Sequence, residues 1–190
     1  METGKAAVEA ARARGGQAEL VYFEAHDPAT HRSMIDECIA KEGRLDVLVN
    51  NFGESNPRKD LDITKCTYKE FEKTVCVDLS TVFNACQQAL NKAMLKQYSG
   101  SIINIGSHND TAMLGGCSVY GAAKSGVIAI TRSMAVECSR YGIRCNAISP
   151  GHIMTELTQV SWDSPNRAPY MRERIAMERG GQPEELVGMA

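Results

Sequence analysis

The sequence predicts an α/β protein, a parallel sheet with helices on both faces, and three observations carry that prediction. Short apolar runs ending in polar, glycine-containing turns recur at Asp46–Gly53, Ser101–Ser107 and Arg144–Gly151. Segments with helical patterning separate them, as crossover helices separate the strands of parallel sheets. Each polar turn closes its strand at the carboxyl end, which is where such sheets bind ligands.

Taken in order, the chain opens with Met1–Val8, which reads as a helix running into the turn Gly15-Gly16. Glu19–Ala25 reads as a strand, and a helix over about Pro28–Gly43 leads to the next strand, Leu45–Asn50. A long helix follows over Phe71–Leu95, with Phe71, Val75, Leu79, Val82 and Phe83 spaced for one face. Ser101–Ile105 is another strand, Tyr120–Tyr141 a helix, and Arg144–Ser149 the strand after it. Ser161–Pro165, rich in serine and proline, is the strongest loop signal. Residues 1–190 are expected to form one domain, long enough to bury a substantial core.

A net charge of −2 provides no electrostatic footprint for nucleic acid or an anionic membrane. No apolar run approaches the ~20 residues of a transmembrane helix, and no signal peptide opens the chain. The seven cysteines lack metal-ligand spacing and mostly sit inside helix or strand patterns. They are expected to be reduced thiols of a cytoplasmic protein, and no metal site is expected.

The chemistry concentrates on Tyr120 and Lys124, four apart on a helix and therefore on one face. An ammonium beside a phenol favours the phenolate and brings proton exchange by tyrosine toward neutral pH. Ser107 lies 13 residues upstream, at the end of a strand.

These residues and their surroundings resemble the short-chain dehydrogenase/reductase family from about Ala18 onward. Asn50-Asn51-Phe52-Gly53 resembles its Asn-Asn-Ala-Gly turn, with Phe52 in place of a small residue. Ser107, Tyr120 and Lys124 fall on its catalytic serine, tyrosine and lysine at the usual spacing. Pro150-Gly151-His152-Ile153-Met154-Thr155 resembles the turn lying against the nicotinamide, and Asp27 falls where the family places an adenine-contacting aspartate. The resemblance implies a Rossmann-like sheet and hydride transfer between NAD or NADP and a secondary alcohol or ketone. Tyr120 would exchange the proton, Lys124 would hold the nicotinamide ribose, and Ser107 would bond the substrate oxygen. Asn50, Asn51, Gly53, Pro150, Gly151, Ile153 and Thr155 would complete the cofactor cleft.

Several departures qualify what the resemblance implies. The family's glycine-rich pyrophosphate turn has no counterpart here, so a first βαβ unit of ~30 residues is expected to be lacking. Pro183–Ala190 resembles the start of the helix before the family's last strand, so that strand is expected to be lacking too. These departures suggest a gene fragment or a mis-assigned start. With the family's strand order, Leu45–Asn50 then becomes an apolar edge, or Glu19–Ala25 slides across to pair with it. The fourth catalytic position, an asparagine in the family, is Asp78. An aspartate there is either tolerated with modest loss, because the asparagine works largely through its main-chain carbonyl, or it impairs the proton relay. His108 and His152 flank the catalytic motifs and are read as exposed or packing residues, with a substrate-facing role left open.

The family's pairing of the two long helices across a two-fold axis implies a homodimer or homotetramer. Gly121, Ala122, Ala123, Ser125, Gly126 and Ala129 are small enough for that approach. Specificity would lie in His108–Cys117, the turn after Gly53, and His152 to about Ala176. Met154, Leu157, Trp162 and Met171 in that last segment suit a bulky apolar substrate such as a hydroxysteroid. A 3-oxoacyl-[acyl-carrier-protein] reductase is the alternative, with Arg58-Lys59 and Arg172/Arg174 as carrier-docking residues, and a sugar or polyol also remains open. A non-catalytic dimerisation or binding module is the alternative of another class. The chain as written is expected to be unstable or to bind dinucleotide poorly. Calorimetric titration with NADH and NADPH tests this: weak or absent binding is the expected result, and micromolar binding by either would overturn it.

Overall fold

A computed structural model describes residues 2–54, 59, 62–113 and 115–190; for Glu2 and Leu157 it describes the backbone alone. Helix α1 (Glu2–Ala13) and α2 (Pro28–Glu42) precede strand β1 (Val47–Asn50). A continuous helical stretch follows, made of α3 (Tyr68–Val75), a π-turn at Cys76–Ser80, α4 (Thr81–Ala89), a second π-turn at Leu90–Met94, and α5 (Leu95–Gln97). Strand β2 (Gly100–Ile105), helix α6 (Ser118–Cys138) and strand β3 (Ile143–Ile148) complete the sheet unit. Short helices α7 (Glu156–Trp162) and α8 (Ala168–Arg174) and a 3-10 segment (Pro183–Met189) end the chain.

The sheet is wholly parallel in the order β1-β2-β3, with Leu48 opposite Ile102 and Ile102 opposite Cys145. On the face of those three residues lies the core. Ile35 of α2, Val82, Ala85 and Met94 of the long stretch, and Val127 and Met134 of α6 all pack there. At its centre is a polar chain. Asn50 Nδ2 donates to Asn104 Oδ1 at 2.8 Å, and Asn104 Nδ2 donates to Thr131 Oγ1 at 2.9 Å, all fully enclosed. That chain bonds β1 to β2 and β2 to α6 through side chains. Buried amides need such partners, so it also sets the depth at which α6 sits.

Local signals explain the ends of α2. Asp27 is its N-cap, with Oδ1 accepting from Ala29 N at 2.9 Å, and Pro28 starts the helix without an orphaned N–H. Gly43, at φ 72°, closes it in the left-handed region and donates to Ile39 O. The π-turn at Cys76–Ser80 was not read from the sequence. Its additional residue shifts the helical phase, so the single face expected of Phe71–Leu95 is divided. Val82 is 1% exposed in the core, while Phe71 and Phe83 remain 41% and 52% exposed.

Two strand expectations resolve differently. β1 is an edge among the described residues, and Val47 and Val49 stand half exposed on it. Glu19–Ala25 forms no strand and does not slide across to β1. Its main chain is held by side chains instead: Thr30 Oγ1 and His31 Nε2 bond Glu24 O, and Thr81 Oγ1 donates to Ala25 O at 2.9 Å. Phe23 stacks on His31 with centroids 4.8 Å apart. These bonds satisfy the carbonyls at the end of the segment, those of Glu24 and Ala25. Pro183–Ala190 turns as 3-10 helix rather than α-helix.

Asn104→Ala would strand Asn50 and remove a donor from Thr131. A loss of about 2–3 kcal/mol in urea unfolding is expected, and a loss under about 0.5 kcal/mol would show that the polar chain adds little.

Candidate active site

A cleft of about 530 Å³ opens at the carboxyl ends of the strands. Val49, Ile105 and Ile148 form its base. Asn51, Phe52 and Gly53 form one wall, and Pro150, Gly151, Ile153 and Thr155 the other. Tyr120 and Lys124 enter from α6. The turns that follow the three strands therefore meet the first turns of one helix, as parallel topology requires.

Lys124 is the most constrained group of the set. It is 3% exposed, its Nζ donates to Ile105 O at 3.0 Å, and it lies 5.8 Å from the centre of the Tyr120 ring. Burial pushes its ammonium below the ordinary lysine range, and the charge of Asp78 pulls it partly back. Asp78, in the π-turn, is 0% exposed, and its Oδ1 accepts from Glu54 N at 2.7 Å. Gly53 separates the two. A Cβ there would lie 2.8 Å from Asp78 Oδ1 and 3.1 Å from Lys124 Nζ, so the close approach requires glycine.

Ser107 is buried just behind the cleft as N-cap of the short 3-10 turn His108–Asp110, and its Oγ accepts from Asn109 N at 3.2 Å. Asn50 lies beneath the base of the cleft, engaged with Asn104. Thr155 caps α7, and its N–H donates to Thr158 Oγ1 at 3.0 Å. Asp27 lies apart from this cleft and caps α2, its Oδ1 accepting from Ala29 N. His108 and His152 pack ring to ring, 5.5 Å between centroids, and do not line the cleft. Burial, then the neighbouring His108, depresses the pKa of His152.

The structure adds contributors that sequence reasoning missed. Gly106 lines the cleft, and a Cβ on it would meet Ile128 Cδ1 and Ser149 Oγ at 2.9 Å. Its signal was a glycine between a strand and the candidate serine. Pro183, Leu186, Val187 and Ala190 close one side of the cleft. They are held there by a parallel bridge between Ile153 and Gly181 and by a two-pronged Arg179–Glu185 pair, which keeps the glutamate near a pKa of about 2. No local pattern in the sequence announced that return.

Other expectations shift. Met154 and Trp162 close on Gly180, and Met171 is 6% exposed, so these residues pack together rather than offering open apolar surface. Gly121 and Gly126 admit Met113 and Leu79 of the same chain. Arg58 and most of the turn after Gly53 lie outside the described residues. Among the described residues no helix is long and apolar enough to cross a membrane. All seven cysteines are free thiols.

A parallel sheet with Tyr120 and Lys124 at the carboxyl ends of its strands, and Ser107 buried just past β2, places the chain in the α/β class. The family model described as enoyl-(acyl carrier protein) reductase matches residues 1–190. The 7alpha-hydroxysteroid dehydrogenase of Paraclostridium sordellii is 35% identical over 88% of this chain and 62% of its own length. A 3-oxoacyl-[acyl-carrier-protein] reductase of Synechocystis sp. is 36% identical over 93% of this chain and 68% of its own. Among solved structures, a gluconate 5-dehydrogenase from Burkholderia cenocepacia in complex with NADP and tartrate superposes with a TM-score of 0.88 at 29% identity, over 97% of this chain and 71% of that one. The chain belongs to the short-chain dehydrogenase/reductase family. It spans 62% of the length of the hydroxysteroid dehydrogenase it matches.

Proposed function

We propose that this chain carries the proton-transfer and nicotinamide side of an NAD(P)-dependent oxidoreductase acting on a secondary alcohol or its ketone. The observation that carries the reading is the joint placement of Tyr120 and Lys124 on one cleft wall, beside the end of β2 that leads to Ser107. The cleft fits a flat heterocycle. It has an apolar base, and a Cβ at Gly53 or Gly106 would crowd its surroundings. Asn51, Gly53, Pro150, Gly151, Ile153 and Thr155 would hold the nicotinamide dinucleotide, which when bound supplies or accepts the hydride. The NADP complex of the Burkholderia relative supports that cofactor class.

Tyr120 gives its phenolic proton to the substrate oxygen in reduction and takes it back in oxidation. Lys124, held by Ile105 O, keeps a positive charge near the phenol and so favours the phenolate when the proton leaves. Ser107 receives a bond from Asn109 N, which leaves its own hydroxyl proton for the substrate oxygen as charge develops there. Leu186, Val187 and Ile153 make the substrate side of the cleft apolar, which favours a bulky substrate of the hydroxysteroid kind. A 3-oxoacyl thioester is the second reading, favoured by the 36% identity to the Synechocystis reductase.

Tyr120→Phe is expected to lower kcat at least ~100-fold on any secondary alcohol the chain oxidises, with cofactor affinity unchanged. Turnover retained within a few-fold would overturn the role of Tyr120. The exposed Tyr68, Phe71 and Phe83 of the long helical stretch and Val136 of α6 support a homodimer or homotetramer. Sedimentation velocity should then show a species at least twice the 20.7 kDa chain, and a monomer at all concentrations would sink that assignment.

A further inference from the structure

Two charged side chains are enclosed beneath the cleft, and the reaction as proposed uses only one. Lys124 is 3% exposed and Asp78 is 0% exposed. They come from different elements, α6 and the π-turn, and both lie within 3.1 Å of the point that a Cβ on Gly53 would occupy. We propose that Asp78 is a positioning residue, an internal counter-ion that neutralises Lys124 and pins the Asn51–Glu54 wall of the cleft. Its catalytic consequence rests on the proton-carrying role of Tyr120.

The physical case starts from burial. An ammonium removed from water is strongly disfavoured unless a carboxylate accompanies it, and a carboxylate needs donors of its own. Asp78 has one in Glu54 N at 2.7 Å, which also ties the cleft wall to the π-turn. The amide expected at this position from family resemblance would keep that acceptor but bring no charge. The charged groups around Asp78 are Lys124 and the ionisable Tyr120 on α6, Glu54 on the turn, and Lys73 on the preceding helical turn. Glu54 is itself paired with Lys73 at 2.6 Å; Lys73 also feels the Asp78 charge, but it is partly exposed, whereas Lys124 is enclosed with Asp78. The surrounding charges agree with this, since the Asp78 carboxylate raises the pKa of Lys124 against its burial.

Lys124 Nζ lies 5.8 Å from the centre of the Tyr120 ring, close enough for a charge on one to act on proton loss from the other. A negative charge beside the pair opposes the first loss, whichever residue releases the proton. Removing that charge therefore lowers the first ionisation of the pair. A purely structural Asp78 would leave it in place.

The test uses the apoprotein and requires no substrate. Tyrosine labelled at 13Cζ and lysine at 13Cε are followed by NMR from pH 6 to 10, with assignments from Tyr120→Phe and Lys124→Met. Asp78→Asn keeps an oxygen for Glu54 N and deletes only the charge. Its first ionisation is expected about one pH unit below wild type. Midpoints that coincide within about 0.2 unit would overturn the proposal. Should the asparagine variant not fold, Asp78→Ser, which also retains an acceptor, is titrated in its place under the same criterion. A chain that turns over no alcohol but shows the shift would remove the proposed function and leave the counter-ion standing.

Discussion

The buried ammonium of Lys124 is the point on which the site depends. It reaches out of α6 to the last carbonyl of β2 and lies directly under Gly53, beyond the end of β1. Few side chains could be held there, because a cation out of water demands both an acceptor and a nearby negative charge. Ile105 O supplies the first and Asp78 the second. The glycine at 53 follows from the same demand, since any Cβ would drive between the two charged groups. One enclosed charge thus constrains a strand end, a turn, a helix face and a residue on a second helix.

The position of Asp78 depends in turn on the π-turn. A regular helix over Phe71–Leu95 would place Leu79, Val82 and Phe83 close to one face. Instead the phase shifts at Cys76–Ser80, Val82 enters the core, and Asp78 faces the cleft wall. The main-chain N–H of Thr81 donates to Cys76 O, closing the widened turn. π-turns recur at functional sites because they redirect one side chain without breaking the helix. Here the redirected side chain is a carboxylate.

A different kind of closure operates on the open side of the cleft. The chain after α8 returns to pair Gly181 with Ile153, and the Arg179–Glu185 pair folds the last turn against the Ile153 side of the cleft. Both members of that pair are exposed, so it directs the turn more than it stabilises it. Leu186 is partly buried at the cleft, while Val187 lines it yet stays 71% exposed. The edge at β1 has no such cover among its described neighbours: Val47 is half exposed, and Val49, also half exposed, forms part of the cleft base.

The sequence by itself determined the three strands, their parallel order and the helix that carries Tyr120 and Lys124. Each of those follows from apolar runs, caps and i,i+4 spacing, which are local. It also determined family membership, because Ser107, Tyr120, Lys124 and the Asn50–Gly53 and Pro150–Thr155 turns stand in order at fixed separations. Tertiary structure alone decided the rest. Glu19–Ala25 has strand-like composition yet forms no strand, and Thr30, His31 and Thr81 bond the carbonyls of Glu24 and Ala25 at its end. Asp27, placed by spacing at an adenine-contacting position, also caps α2 through Oδ1, a use that only the folded helix shows. The burial of Asp78 near Lys124 joins residues 46 positions apart, and the return of the last turn pairs Gly181 with Ile153, 28 positions back. No local pattern encodes such contacts, since they exist only once the core has set the distances between elements.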